Sequence, residues 1–280
     1  MPLLCRLHAI SIAGIVALLA LGAVHGTAAE PHAGPVAKPS IVGGGPADPA
    51  DYPFEVAVFF RGQFNCGGAV IAPTKVLTAG HCAAGFRVSK MVVVAKRARL
   101  ADKGVGERIR VASKVVHPRY HRFGRPDLAV LTLARPTTAP PVALATVAED
   151  AAATAIGSRL RIAGWGVKTP FRVGLPGFLK ETTQTVVRSR RCRGAFGSLY
   201  THRAAICARG KLARRWSRRL RAKIFMGVCS GDSGSPLIAD TAGGPRVVGV
   251  ASLAGIICGS RFAPGAYARV APALSFIGGA

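Results

Sequence analysis

The residues with the most chemistry in them stand together in Gly231-Asp232-Ser233-Gly234-Ser235-Pro236, directly after Cys229 and Ser230. A serine hydroxyl is a poor nucleophile at neutral pH. It needs a base beside it and amide donors facing the charge that develops on its target. Small residues around Ser233 let the backbone turn sharply, so that the N–H groups of Gly231 and Ser233 can face one point. Asp232 adds a carboxylate directed the other way, able to anchor a second group. A histidine is supplied upstream by Leu77-Thr78-Ala79-Gly80-His81-Cys82. Between the two, Arg125-Pro126-Asp127-Leu128-Ala129-Val130-Leu131 places one acid at the head of an apolar run. Each residue alone has a plainer use. His81 can be a structural donor beside a cysteine, Asp127 a turn cap after proline, and Ser233 an ordinary loop serine. Together they fit acyl transfer.

The elements that must position these residues are short strands. Phe54–Phe59, Met91–Val94, Leu128–Leu133, Leu160–Ala163 and Val247–Val250 are apolar or β-branched runs bounded by Gly, Pro and Asp. That pattern predicts an all-β barrel or sandwich. A chain of 280 residues with 50% hydrophobic content can bury a large core. No internal repeat is present. Arg6 precedes an apolar run from Ala9 to Val24, short for a membrane span and typical of a signal peptide. Thr27-Ala28-Ala29 offers small residues for cleavage after Ala29, and the proline-rich stretch from Glu30 to Ser40 reads as a propeptide.

The Ile41-Val42-Gly43-Gly44 start, Ala79-Gly80-His81-Cys82, Asp127-Leu128-Ala129 and the Gly-Asp-Ser-Gly-Ser-Pro run, in the order His, Asp, Ser, resemble the chymotrypsin/trypsin-like serine proteases. The resemblance runs from Ile41 to about Phe276. It implies two antiparallel six-stranded β-barrels within residues 41–280, joined near 140–155, with the active site between them and a short C-terminal helix over Ala271–Ile277. It implies Ser233 as nucleophile, His81 as general base and acid, Asp127 as the residue that orients His81, and the Gly231 and Ser233 amides as the oxyanion hole. Ser252 matches a serine that supports the acid; it can equally be the end of a strand. Six cysteines follow the leader, which holds Cys5, and six allow 15 pairings. The resemblance selects Cys66–Cys82, Cys192–Cys207 and Cys229–Cys258, as suits an oxidising compartment.

The same resemblance implies that a new α-amine at Ile41 pairs with Asp232 and so orders the oxyanion loop and the pocket. Ser40 departs from the pattern, since many relatives carry arginine or lysine there, and leaves the activating cut unassigned. The Pro39-Ser40 pair leaves self-processing open. The floor of the specificity pocket corresponds to Gly227, followed by Val228, with Ser252, Ala254 and Gly265 on the walls. An uncharged floor implies cleavage after small or medium apolar residues rather than arginine or lysine. A slip of one or two positions around Met226-Gly227-Val228 is the alternative. Leu253 replaces a common tryptophan beside the pocket.

The formal net charge of +26 favours anionic partners and says nothing about fold. The Ala-, Gly- and Arg-rich composition is also what a GC-rich genome produces. Part of the charge lies between Cys207 and Cys229, where an insertion from Arg209 to Lys223 holds Arg214, Arg215, Arg218 and Arg219. Leu212, Trp216 and Leu220 recur there every four residues, the spacing of a basic amphipathic helix that can meet a polyanion or an anionic membrane. The bland alternative is a solvated loop that only carries charge. No specific nucleic-acid recognition is expected. With Glu107 and Asp102 the only acids in their loop, no calcium site and no cofactor are expected either. The reading is a secreted, monomeric serine endopeptidase acting on polypeptides and made as a zymogen. The competing class is a non-proteolytic basic binding protein on the same fold.

Overall fold

Runs of valine, isoleucine and alanine, broken by glycine and proline, give this chain sixteen strands and three short helices among the described residues. The computed structural model describes residues 41–120, 126–167, 177–217, 222–260, 262 and 264–280. The leader and propeptide segments lie outside them. A first barrel is built from β2 (Glu55–Phe60), β3 (Gln63–Ala72), β4 (Lys75–Thr78), β5 (Met91–Ala95), β6 (Glu107–Val116) and β7 (Ala129–Leu133), after the two-residue β1 (Gly45–Pro46). It closes in the order β2-β3-β4-β7-β6-β5. Val56, Val58, Val70, Leu77, Val93 and Leu131 fill it, each fully buried.

Beyond β7 the chain crosses through β8 (Ala143–Leu144), which runs parallel to a later strand, into helix α1 (Val147–Ala153). Thr146 starts α1 with a capping box. Its hydroxyl accepts from the Glu149 N–H at 3.2 Å, and the Glu149 carboxylate accepts from the Thr146 N–H at 2.8 Å.

The second barrel uses β9 (Arg159–Gly164), β10 (Lys180–Val186), β11 (Ala205–Gly210), β14 (Pro236–Thr241), β15 (Gly244–Leu253) and β16 (Gly265–Arg269). Pairing of β10 with β9 closes the path β10-β11-β16-β15-β14-β9, while β1 and β8 attach outside the ring. Leu160, Ile162, Ile206, Leu237, Val248 and Tyr267 pack inside it. β10 is a polar strand, Lys-Glu-Thr-Thr-Gln-Thr-Val, yet its burial alternates strictly, with Gln184 fully buried. The ring closes through it, so its inward residues are covered whatever their polarity.

Helix α2 (Arg190–Phe196) carries Cys192, which is bonded to Cys207 on β11. Cys66–Cys82 and Cys229–Cys258 are the other two disulfides. A 3-10 turn at Ala271–Ala273 and helix α3 (Leu274–Gly278) end the fold. No helix among the described residues is long and apolar enough to cross a membrane.

The basic insertion is not a helix. β12 (Leu212–Ser217) and β13 (Ala222–Phe225) pair as an antiparallel hairpin with a register shift between Leu212 and Trp216. The chain enters extended from β11, and Phe225 and Met226 hydrogen-bond to Gly259 and Lys211 on the way out. Tertiary pairing at both ends therefore overrides the four-residue apolar spacing. Leu220 lies outside the described residues.

Candidate active site

His81 sits in a 3-10 turn, Gly80–Cys82, directly after β4, and the Cys66–Cys82 disulfide fastens that turn to β3. Gly80 cannot be larger. A Cβ there would lie 2.9 Å from Cδ2 of Tyr120 and 3.0 Å from Oδ1 of Asp127. Asp127 precedes β7, which pairs with β4, so the barrel register itself brings acid and histidine together.

The contact is double. Asp127 Oδ1 accepts the His81 backbone N–H at 2.8 Å, and Asp127 Oδ2 lies 2.7 Å from His81 Nδ1. A carboxylate on Nδ1 places the proton there and turns Nε2 into an acceptor. The Asp127 side chain is only 3% exposed and that of His81 17%. Asp127 Oδ2 also accepts from Ser252 Oγ at 2.6 Å, so β15 of the second barrel holds an acid of the first.

Ser233 lies in the loop that enters β14, clamped against both barrels. Its carbonyl accepts from the Gly67 N–H at 2.8 Å, and the Gly234 N–H donates to Ala251, the neighbour of Ser252. Gly234 has φ +86°, and a Cβ there would lie 2.3 Å from Oγ1 of Thr78, so β4 and the serine loop touch directly. Gly231 has φ +94°, which turns the chain ahead of Ser233. Among the described residues neither the Gly231 nor the Ser233 N–H is taken by an acceptor.

Behind the serine, Asp232 is fully buried. It accepts from the Gly166 N–H at 2.7 Å and the Cys229 N–H at 2.9 Å. Burial pushes its carboxyl up to about 7, against the pull of those two amides. The Gly166 carbonyl accepts from the Ile41 N–H at 3.1 Å, so Ile41 and Asp232 meet at one residue. Ile41 is itself fully buried.

These observations decide the family. The chain belongs to the trypsin family of serine proteases. The trypsin family model matches residues 41–277. A trypsin from Saccharopolyspora erythraea is 34% identical over 232 residues, 82% of this chain and 93% of its own length. Serine protease SP24D from Anopheles gambiae is 33% identical over 85% of this chain and 79% of its own length. Brachyurin from Leptuca pugilator is 29% identical over 70% of this chain and 80% of its own. The protein is accordingly a serine-type endopeptidase that acts on polypeptides.

Gly227, Val228, Ala254 and Gly265 line one narrow cleft of the trypsin-family fold; Ser252 does not line it but serves Asp127. Arg209 and Gln184 are among the cleft residues that the sequence did not place there. So did Glu55 and Ser235. Ser235 Oγ donates to Glu55 Oε1 at 2.8 Å behind the nucleophile loop. Burial pushes the Glu55 carboxyl well above the usual carboxylate range, and nearby Asp232 adds to it. Glu107 is engaged by Thr137 at 2.9 Å and by Thr138. Cys66, His81 and Cys82 cluster as a metal site would, but both sulfurs are spent in the disulfide and offer no thiolate.

Proposed function

We propose that this endopeptidase is secreted and made as a zymogen, with residues 1–29 as signal peptide, 30–40 as propeptide and Ile41 as the mature N-terminus. The observation that carries the catalytic reading is the hydrogen-bonded chain Ser252–Asp127–His81 beside the clamped Ser233 loop. Ser233 Oγ attacks the substrate carbonyl carbon as His81 Nε2 takes its proton. The carbonyl electrons move to oxygen, which the Gly231 and Ser233 N–H groups hold. Loss of one such donor costs about 3 kcal/mol of transition-state stabilisation. Collapse expels the amine, protonated by His81, and leaves an acyl-enzyme. Water then repeats the steps with His81 as base. Asp127 keeps Nδ1 protonated and offsets the imidazolium charge.

Two features support activation at Ile41. Its φ is +49°, unfavourable for a β-branched residue in a continuous chain because of the preceding carbonyl. Cutting the Ser40–Ile41 bond removes that carbonyl and a strain on the order of 1–3 kcal/mol. The new α-ammonium would also give buried Asp232 the opposite charge it lacks, lowering its pKa and fixing the loop in front of it.

The pocket reading rests on Gly227, where an added Cβ would meet nothing within 4 Å, and on the apolar walls Val228 and Ala254. Among the described residues no acid lines the cleft to bind arginine or lysine. Small to medium apolar side chains are the expected substrates.

A fluorophosphonate probe tests the whole scheme. It should label Ser233 in material whose N-terminal sequence begins at Ile41 and leave the uncut chain unlabelled. Equal labelling of both forms overturns the zymogen reading. Labelling that survives Ser233→Ala overturns the nucleophile.

A further inference from the structure

The cleft assigned above to the substrate side chain has a charged lining residue that the apolar reading does not use. Arg209 and Gln184 line it together with Gly227, Val228, Ala254 and Gly265. Gly227 brings no side chain into the cleft, and a Cβ added there would meet nothing within 4 Å. Arg209 sits on β11 with its backbone paired to Thr185 of β10, so its origin is rigid. Its guanidinium lies over the Phe225 ring at 4.1 Å.

What distinguishes this arginine is the company it lacks. Arg161, Arg246 and Arg269 are also partly buried, and each has an acid: Asp240, Glu149 and Asp150. Arg209 has no ion pair among the described residues, and its charged neighbour is another cation, Arg191. A guanidinium stays protonated in a protein, so partial burial leaves it a charge to be satisfied. Gln184 repeats the pattern. It is fully buried, and among the described residues its Oε1 has no hydrogen-bond partner and its Nε2 reaches only the Thr183 carbonyl, at 3.4 Å. Turning the amide over puts two N–H donors where the orphaned oxygen stands.

We propose that Arg209, assisted by Gln184, is a specificity-determining residue and that the pocket accepts acidic side chains, glutamate and aspartate, of the substrate. This rests on the pocket assignment of the proposed function and extends its substrate class from apolar side chains alone to acidic ones as well. A side chain that stops at Val228 and Ala254 uses apolar contact alone. One that carries a carboxylate has in the same lining a planar cation able to hold it with two parallel hydrogen bonds. The same charge repels lysine and arginine, so it reinforces the exclusion already set by the uncharged floor.

The test uses enzyme beginning at Ile41 and peptides that differ only in the residue before the scissile bond: Glu, Gln, Ala, Leu or Lys. Glutamate and glutamine share a shape and differ in charge. The ratio of their kcat/KM values should favour glutamate by roughly 10- to 100-fold, the effect of a charged hydrogen-bond partner. Arg209→Met should bring that ratio to about one, Arg209→Lys should keep part of it, and Arg209→Glu should turn the preference toward lysine. Sites counted with a fluorophosphonate correct each variant for misfolded protein. A Glu/Gln ratio near one in the unaltered enzyme, or one that Arg209→Met leaves in place, overturns the proposal while the pocket assignment stands. If lysine leads in the unaltered enzyme, the pocket assignment itself is wrong.

Discussion

Glu55→Gln should change how stability depends on pH, by an amount that follows from burial. Glu55 is buried between the barrels, receives one hydrogen bond from Ser235 and has a second oxygen, Oε2, with no partner among the described residues. Burial, less the effect of the Ser235 bond and with a further push from Asp232, raises its folded-state pKa well above the usual value. The folded state therefore keeps a proton that the unfolded chain releases above about pH 4.3. The sign follows directly: the native state binds more protons, so stability is full below the unfolded pKa and falls as pH rises toward the folded one. The slope is about 1.4 kcal/mol per pH unit. Glutamine has the same shape and no proton to lose. At low pH it should be neutral or cost about 1–3 kcal/mol for an unsatisfied amide. Over each further pH unit it should gain about 1.4 kcal/mol on the parent until the native Glu55 ionises. Urea unfolding of the Ser233→Ala protein, cut before Ile41 and with disulfides intact, measures the difference between pH 4 and pH 8. The Asp232 contribution is common to both proteins and largely cancels. Parallel curves across that range would falsify the assignment of Glu55 as a buried neutral acid.

Ser252→Ala removes the 2.6 Å bond to Asp127 and should lower kcat/KM by roughly tenfold, read on a small peptide at fixed pH. Gly166→Ala puts a Cβ 2.3 Å from the Asp232 carboxyl, so peptide hydrolysis should be nearly lost while a thiol assay still finds all three disulfides formed. Changing Arg214, Arg215, Arg218 and Arg219 to serine should weaken retention on a heparin column, so that the variant elutes at lower salt than the parent. Unchanged retention would place the effect in the general surface charge.

The strands that sequence made legible are those with a barrel interior on one side and a β-branched pattern to match, such as Met91–Val94 and Val247–Val250. β10 stayed hidden because Lys180, Thr182 and Gln184 occupy its inward positions, and hydrophobicity is the quantity the periodicity reads. The β12–β13 hairpin stayed hidden for the opposite reason. Its apolar residues carry a helical spacing, while backbone bonds to Lys211 and Gly259 decide its conformation from outside the segment. Residues at Gly43, Gly166 and Gly231 were legible only as small residues; what each must avoid, Met226, Asp232 and Gly166 in turn, is known once the loops are packed together.

The site divides along the same line. His81, Asp127 and Ser233 announce themselves because their neighbours are constrained too: Gly80 by Tyr120, Ser233 by the glycines that turn the chain around it. Glu55 and Arg209 announce nothing. On β2, alternation alone would aim Glu55 at solvent, opposite Phe54 and Val56. In a double barrel, however, the outer face of β2 is covered by the second barrel, and both faces of Glu55–Phe59 are buried. An outward polar residue there becomes a buried one and must find a partner across the seam, which for Glu55 is Ser235. Arg209 is outward on β11 in the same sense, next to a buried Ala208, and it lines the cleft we assign to the substrate side chain. Polar residues on the outer faces of barrel strands are thus where this fold supports the nucleophile loop and lines the cleft, and single-strand periodicity assigns those same residues to solvent.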